Sequence, residues 1–250
     1  MRFSVSVVFL LALVPAAAQT RVNDRNANGW FMYFGDHPIS QRWELHLEGQ
    51  WRRHDVATKW QQLLIRPGVN YRLSKDVLLT AGYGFINTYQ YGDFPVSSNF
   101  PEHRLYQQAI VTHRAGNVGF SHRYRLEQRW IGIPKPADSR ALPQDWRFQH
   151  RFRYMARMNV PLSKPPADGP ARWYLGLYDE VFIHFGFNAP VNLFDQNRAY
   201  AAVGRQVNKS TRVEFGYMHH AVVQRSGRVV ERNHTLQLAV FSNLSFRRKP

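Results

Sequence analysis

Arginine and glutamate recur at every second position along several stretches of this 250-residue chain. Groups in that spacing can grip anions or one another. Arg123, Arg125, Glu127 and Arg129 share one parity, and Arg147, Arg151, Arg153 and Arg157 share another stretch. Arg42, Glu44, Glu48 and Arg52 form a third set, while Arg66, Arg72, Arg198, Arg212, Glu180 and Glu214 fall on the same nominal face elsewhere. A guanidinium is a planar fork that binds carboxylates and phosphates through paired hydrogen bonds. By parity, thirteen arginines face five glutamates, a surplus of eight positive charges. Like charges on neighbouring strands repel unless water, an anion or an interleaved glutamate intervenes. The candidate lumen or anion-binding residues are therefore Arg42, Arg66, Arg123, Arg125, Arg129, Arg147, Arg151, Arg153, Arg198, Glu127, Glu180 and Glu214.

Hydrolytic chemistry has less to stand on. The eleven histidines are dispersed, none in a His-Glu-x-x-His spacing, and no Gly-x-Ser-x-Gly elbow or glycine-rich phosphate loop occurs. His219 and His220 are adjacent, so on a strand they point to opposite faces; Ser121 and His122 fail as a pair for the same reason. His46, His184 and His220 are nominally inward and are the candidate general bases near the external rim. No catalytic residue is assigned, and a lipid- or lipopolysaccharide-modifying hydrolase stands as the alternative function. The chain has no cysteine, hence no disulfide framework and no Cys-based metal site, and no cofactor is expected.

The elements that must position these residues are strands. From Gln41 to Trp51, Arg42, Glu44, His46, Glu48 and Gln50 oppose Trp43, Leu45, Leu47, Gly49 and Trp51. Val118, Phe120, His122, Tyr124, Leu126 and Trp130 oppose the arginines of the next such stretch. A period of two with aromatics on one side and charge on the other suits a membrane barrel with a wet lumen. Eleven strand-like segments are read, at about 28–36, 41–53, 59–73, 77–89, 103–113, 118–130, 146–160, 171–185, 196–207, 211–220 and 231–242. Short turns alternate with longer loops such as 89–101, 131–145, 185–195 and 221–230. Bacterial single-chain barrels have even strand numbers and both termini in the periplasm, so twelve strands are expected, with ten possible and the twelfth near Thr20–Ala27.

Three positions strain the pattern. Pro67 demands a bulge or a strand end, Asp179 lands on the outward face and calls for a bulge or rim position, and the parity of 103–113 is open. The strands are longer than a soluble β-sandwich uses, and seven Trp, twelve Tyr and seventeen Phe suit interfacial girdles.

Residues 1–18 read as a signal peptide: Arg2, an apolar run from Phe3 to Val14, then Pro15-Ala16-Ala17-Ala18, with maturation near Gln19. Residues 19–250 read as a single barrel domain placed in the bacterial outer membrane. The net charge of +16 and pI near 10.6 would suggest nucleic acid, but export argues against it. Outer-membrane lipids, lipopolysaccharide phosphates and small anionic solutes are the expected partners of a monomer. The mean hydropathy of −0.46 is compatible with barrel strands, half of whose residues are polar.

Several strings look familiar. Glu102-His103-Arg104-Leu105-Tyr106-Gln107-Gln108 is one, and His122-Arg123-Tyr124-Arg125-Leu126-Glu127-Gln128-Arg129 is the most specific. Arg151-Phe152-Arg153-Tyr154, Asp179-Glu180-Val181-Phe182, Phe194-Asp195-Gln196-Asn197-Arg198 and Asn233-His234-Thr235-Leu236-Gln237-Leu238 follow. From about Asn28 to Asn243 the chain resembles the bacterial outer-membrane family DUF2490. The resemblance implies an all-β, antiparallel, up-and-down transmembrane barrel and supplies no catalytic residues. One departure is the ending: barrels often finish on an aromatic, whereas Phe246 here is followed by Arg247-Arg248-Lys249-Pro250.

Overall fold

The structure is a computed structural model describing residues 21–133, 143, 145–163, 172–190 and 192–247. The proposed signal peptide lies outside the described residues. Eleven strands follow one another: β1 (Val22–Pro38), β2 (Trp43–His54), β3 (Lys59–Arg72), β4 (Val77–Thr88), β5 (Phe100–Ala115), β6 (Val118–Ile133), β7 (Asp145–Pro161), β8 (Trp173–Phe185), β9 (Phe194–Asn208), β10 (Thr211–Val223) and β11 (Val229–Ser242). All eleven expected segments are strands. Each pairs antiparallel with its sequence neighbour, and β1 pairs parallel with β11, closing the barrel.

Among the described residues the count is eleven, not twelve. Of the segment expected to hold the twelfth, Val22–Ala27 is the first six residues of a single 17-residue β1. An odd number makes the first and last strands run the same way, so the barrel is mixed rather than purely antiparallel. It also puts the two ends of the barrel domain at opposite rims. Strand β1 starts at the rim carrying residues 89–99 and 186–193, the loop end, and β11 finishes at the rim of short turns, the turn end. The connection 55–58 is also at the loop end but is a tight turn, with Asp55 and Val56 both at positive φ. Beyond β11, the chain bonds back to β1 through Phe246 N–H donating to Pro38 O at 2.9 Å, and the Phe246 ring stacks on His37 at 4.2 Å.

Alternation places Trp43, Trp51, Ile65, Val69, Tyr124, Phe215 and Leu238 outside and exposed, against buried Glu44, Glu48, Arg52, Arg66, Arg125 and Glu214 inside. The open parity of β5 resolves with Glu102, Arg104, Tyr106 and Gln108 inward and Leu105 outward. Pro67 points out opposite Leu47, and the ladder to β4 lapses at Arg66 and Pro67 before resuming in register at Gly68. Asp179 sits at the midpoint of β8, outward, without a bulge; the register shift in β8 falls at Phe182/Ile183 instead. The barrel accommodates it through Asn197 on β9, whose side-chain amide donates to the carboxylate at 2.9 Å.

Two inward tyrosines lie flat over glycines of the adjacent strand. A Cβ on Gly82 would come within 2.5 Å of the Tyr106 ring, and one on Gly204 within 2.2 Å of the Tyr174 ring. Ring and glycine interlock, which fixes the register and lets the aromatic fill the interior.

Candidate functional site

Chemically capable side chains converge in the barrel interior, which is filled from two sides. On the β1, β9, β10 and β11 wall, Trp30, Met32, Tyr200, Ala202, Met218 and Ala239 form an apolar cluster. On the β5–β8 wall, inward arginines and glutamates interdigitate, with Glu127 directly opposite Arg151 and the other partners reached along the strands. Glu102 takes both forks: Arg104 donates at 2.8 and 2.6 Å and Arg129 donates to both carboxylate oxygens at 2.8 Å. Glu127, fully buried, accepts from Arg151 and Arg153 at 2.8 Å and from Arg104 at 3.3 Å. Glu180 accepts from Arg123 at 2.7 Å and from Arg153 at 2.8 and 3.0 Å. Arg151 also reaches Asp195 at 2.7 Å, and across the barrel Arg66 donates to Glu48 at 2.7 Å.

Three aromatic rings lie against the inward guanidiniums, including Arg52 and Arg125, which bond only glutamines. Arg52 and Arg198 flank Trp30, their Cζ atoms 3.8 and 5.1 Å from its ring centre. Arg66 and Arg125 flank Tyr106 at 5.5 and 4.8 Å, and Arg153, Arg198 and Arg151 surround Phe182 at 4.2, 4.6 and 5.1 Å. A ring face is electronegative and attracts a desolvated cation by about 2 kcal/mol, so the rings partly replace missing counter-ions.

Two small chambers lie between these walls. The one at the turn end, about 210 Å³, is bounded by residues from all eleven strands; the one at the loop end is about 190 Å³. Trp30, Arg52, Arg66, Arg153 and Arg198 line both and form the partition. The loop-end chamber is roofed by the β4–β5 connection. Tyr91 from that segment donates to Glu231 of β11 at 2.6 Å, and Gln224 donates to Phe94 O at 2.9 Å. Burial, and then the Glu231 carboxylate, hold the Tyr91 hydroxyl well above its usual pKa, so it remains a donor.

A family model matches residues 27–231, described as a protein of unknown function (DUF2490). The chain belongs to the DUF2490 family. No curated protein and no solved structure matches it. For this DUF2490 chain the matched span runs from β1 into β11, so it covers nearly the whole barrel, including every residue of the ion-pair network.

The structure gathers Arg66, Arg123, Arg125, Arg129, Arg151, Arg153, Arg198, Glu127, Glu180 and Glu214 inside the barrel, as the alternation implies. Arg42 is corrected: it lies in the exposed turn before β2 and donates to Tyr71 OH at 3.1 Å. Arg147 reaches only a rim cavity at the loop end beside Gln149, His184 and Arg225. Sequence reasoning missed Arg104 and Glu102, whose strand had no resolvable parity, and Asp24, Asp36, Asp195 and Glu231, which sit toward strand ends. Losing Arg42 and gaining Arg104 keeps thirteen inward arginines, while five added carboxylates make ten. The inward surplus is therefore three rather than eight.

The three candidate histidines have separate partners. His46 is corrected from the external rim to the turn-end half, where Nδ1 lies 2.7 Å from Asp36; His184 lies 3.3 Å from Asp195, and His220 bonds Gln196 at 3.0 Å and meets Trp30 edge-on. Among the described residues no serine or threonine hydroxyl hydrogen-bonds a histidine, and no group of three or more His, Asp or Glu side chains is placed to hold a metal ion.

Proposed function

We propose that this protein is an outer-membrane barrel whose lumen is closed at rest by its own side chains, a rigid and occluded element rather than an open channel. The observation that carries the reading is the turn-end chamber: every strand contributes to its wall, yet only about 210 Å³ is free. Partition and lid together weigh against the other use an arginine-lined lumen could have, a narrow anion-preferring pore. The exposed band of Trp, Tyr, Phe, Leu and Val supports placement in a bilayer, where a closed barrel satisfies every backbone ladder. A lipid or lipopolysaccharide hydrolase finds no serine– or threonine–histidine pair among the described residues to support it.

Planar-bilayer recording tests the proposal. The wild type should insert without steady conductance, while a variant truncating Tyr91, Arg151 and Arg153 to alanine should pass current with anion preference. Steady ohmic current through the wild type would refute the closed lumen. Placement is tested separately, by co-fractionation with outer membranes and by a mobility difference between boiled and unboiled samples.

A further inference from the structure

The arginines about the partition are incompletely matched. Eight guanidiniums line the turn-end chamber against three carboxylates. Glu180 is shared by Arg123 and Arg153 at hydrogen-bond distance, which leaves Arg198 at 3.8 Å. Arg125 is 4.0 Å from Glu127 and bonds only the neutral Gln108. Arg52 bonds only Gln50 and Gln62. Each of Arg52, Arg66, Arg125 and Arg198 is more than nine-tenths buried. Arg66 Nε, Arg125 Nη1 and Arg198 Nε are buried donors with no acceptor. A buried charged donor left unpaired is costly, so this is a place where an acceptor is owed.

We propose that the turn-end chamber is a binding site for a small dianionic oxyanion of the phosphate class, held by Arg52 and Arg198 about Trp30 and by Arg66 and Arg125 about Tyr106. A tetrahedral oxyanion presents acceptors in several directions, as guanidiniums from four different strands require, whereas chloride offers charge without direction. The volume suits it: at about 30 Å³ per water the chamber holds roughly seven waters, enough for one such oxyanion and a residual shell. The loop-end chamber shares Arg52, Arg66 and Arg198 but not Arg125, and its own Arg104 and Arg129 already grip Glu102. The inference rests on the filled-lumen reading only in taking the chamber as enclosed.

Calorimetry with the full-length mature chain in detergent, titrated with inorganic phosphate against sodium chloride of equal ionic strength, tests it. One saturable site is expected, at least tenfold weaker in Arg52→Gln and in Arg198→Gln and unchanged in Arg205→Gln, an outward arginine beside Trp173. Should the lumen variants fold poorly, phosphorus-31 line broadening on the wild type, reversed by sulfate, reads the same site. Equal binding of glycerol phosphate and phosphate identifies the phosphate group itself as the determinant. Absence of both saturable heat and broadening overturns the proposal, as does equal weakening by Arg205→Gln. Binding of lipopolysaccharide while phosphate and glycerol phosphate are ignored also overturns it, since acyl chains cannot enter the chamber. A silent barrel that ignores phosphate sinks only this inference, and a conducting barrel that binds it sinks only the closed lumen.

Discussion

Replacing Glu127 with glutamine should be among the most damaging isosteric changes available in this chain. The carboxylate is fully buried and receives Arg151, Arg153 and Arg104, with Arg125 4.0 Å away. Glutamine keeps the shape and one acceptor oxygen but removes the charge, so four guanidiniums then face each other with only Glu102, Glu180 and Asp195 nearby. Removing one partner of a buried pair costs about 3–5 kcal/mol, mainly as the penalty of the charges left behind. In a domain of this size each kcal/mol moves the melting midpoint by about 2–4 °C, so a fall of roughly 6–20 °C is expected. The comparison is Glu44→Gln, whose partner Arg72 is 42% exposed and whose loss should cost about 1 kcal/mol or less. Thermal unfolding of both variants in the same detergent, followed by circular dichroism, makes the measurement. Adding Arg153→Gln to Glu127→Gln should recover part of the loss, because one uncompensated charge goes with it. If Glu127→Gln melts no lower than Glu44→Gln, the ion-pair network does not hold the lumen together.

Three further outcomes follow from single positions. Asp179→Leu should stabilise the folded barrel by about 1–3 kcal/mol in lipid vesicles, because a mid-strand outward carboxylate is expensive in hydrocarbon; a change within about 0.5 kcal/mol would place that face in water. Val56→Gly should raise stability by about 1 kcal/mol in equilibrium denaturation, since a β-branched residue at φ 59° is strained and glycine is not. Unchanged or lowered stability there would mean the turn is held by contacts of the valine side chain. Gly82→Ala should cost about 1–3 kcal/mol and broaden the Tyr106 ring signals in NMR spectra, because the new methyl would displace that ring.

How much of this was legible follows from where each signal lives. Alternation is a local property, so the strands and the inward parity of Arg123, Arg125, Glu127 and Arg129 could be read directly. The segment 103–113 could not, because Leu105, Ala109 and Val111 argue for one face while Tyr106 and Ile110 argue for the other. Only pairing decides it: Tyr106 stands opposite Gly82 and Glu127, and Arg104 opposite Arg129. That undecided parity hid Glu102 and Arg104, and with them much of the charge compensation. Arg42 misled for the opposite reason, since its alternation is sound but the strand begins one residue later, at Trp43. Trp30 gave no sign of its role, because its partners Arg52, Gln61 and Arg198 come from three other strands.

The odd strand number and the filled lumen bear on one another. A barrel of eleven strands is wider than the eight-stranded kind whose interior ordinary side chains just fill, so longer side chains must reach inward. Arginine has the reach, and its charge then has to be answered at every level of the lumen. Glutamate answers it on β5–β8, where Glu102, Glu127 and Glu180 step along the ladder at four-residue intervals and each meets at least two arginines. Near the seam, β1 brings Trp30, Met32 and Phe34 and no inward arginine, and β11 adds Ala239 and Phe241 to that apolar patch beside buried polar Asn233, Thr235 and Gln237. The guanidiniums of Arg52 and Arg198 must then rest on an aromatic face instead of a carboxylate. The uncompensated charge thus collects where the charged wall meets the apolar one, at the partition between the chambers, and that is the position a bound anion would stabilise most.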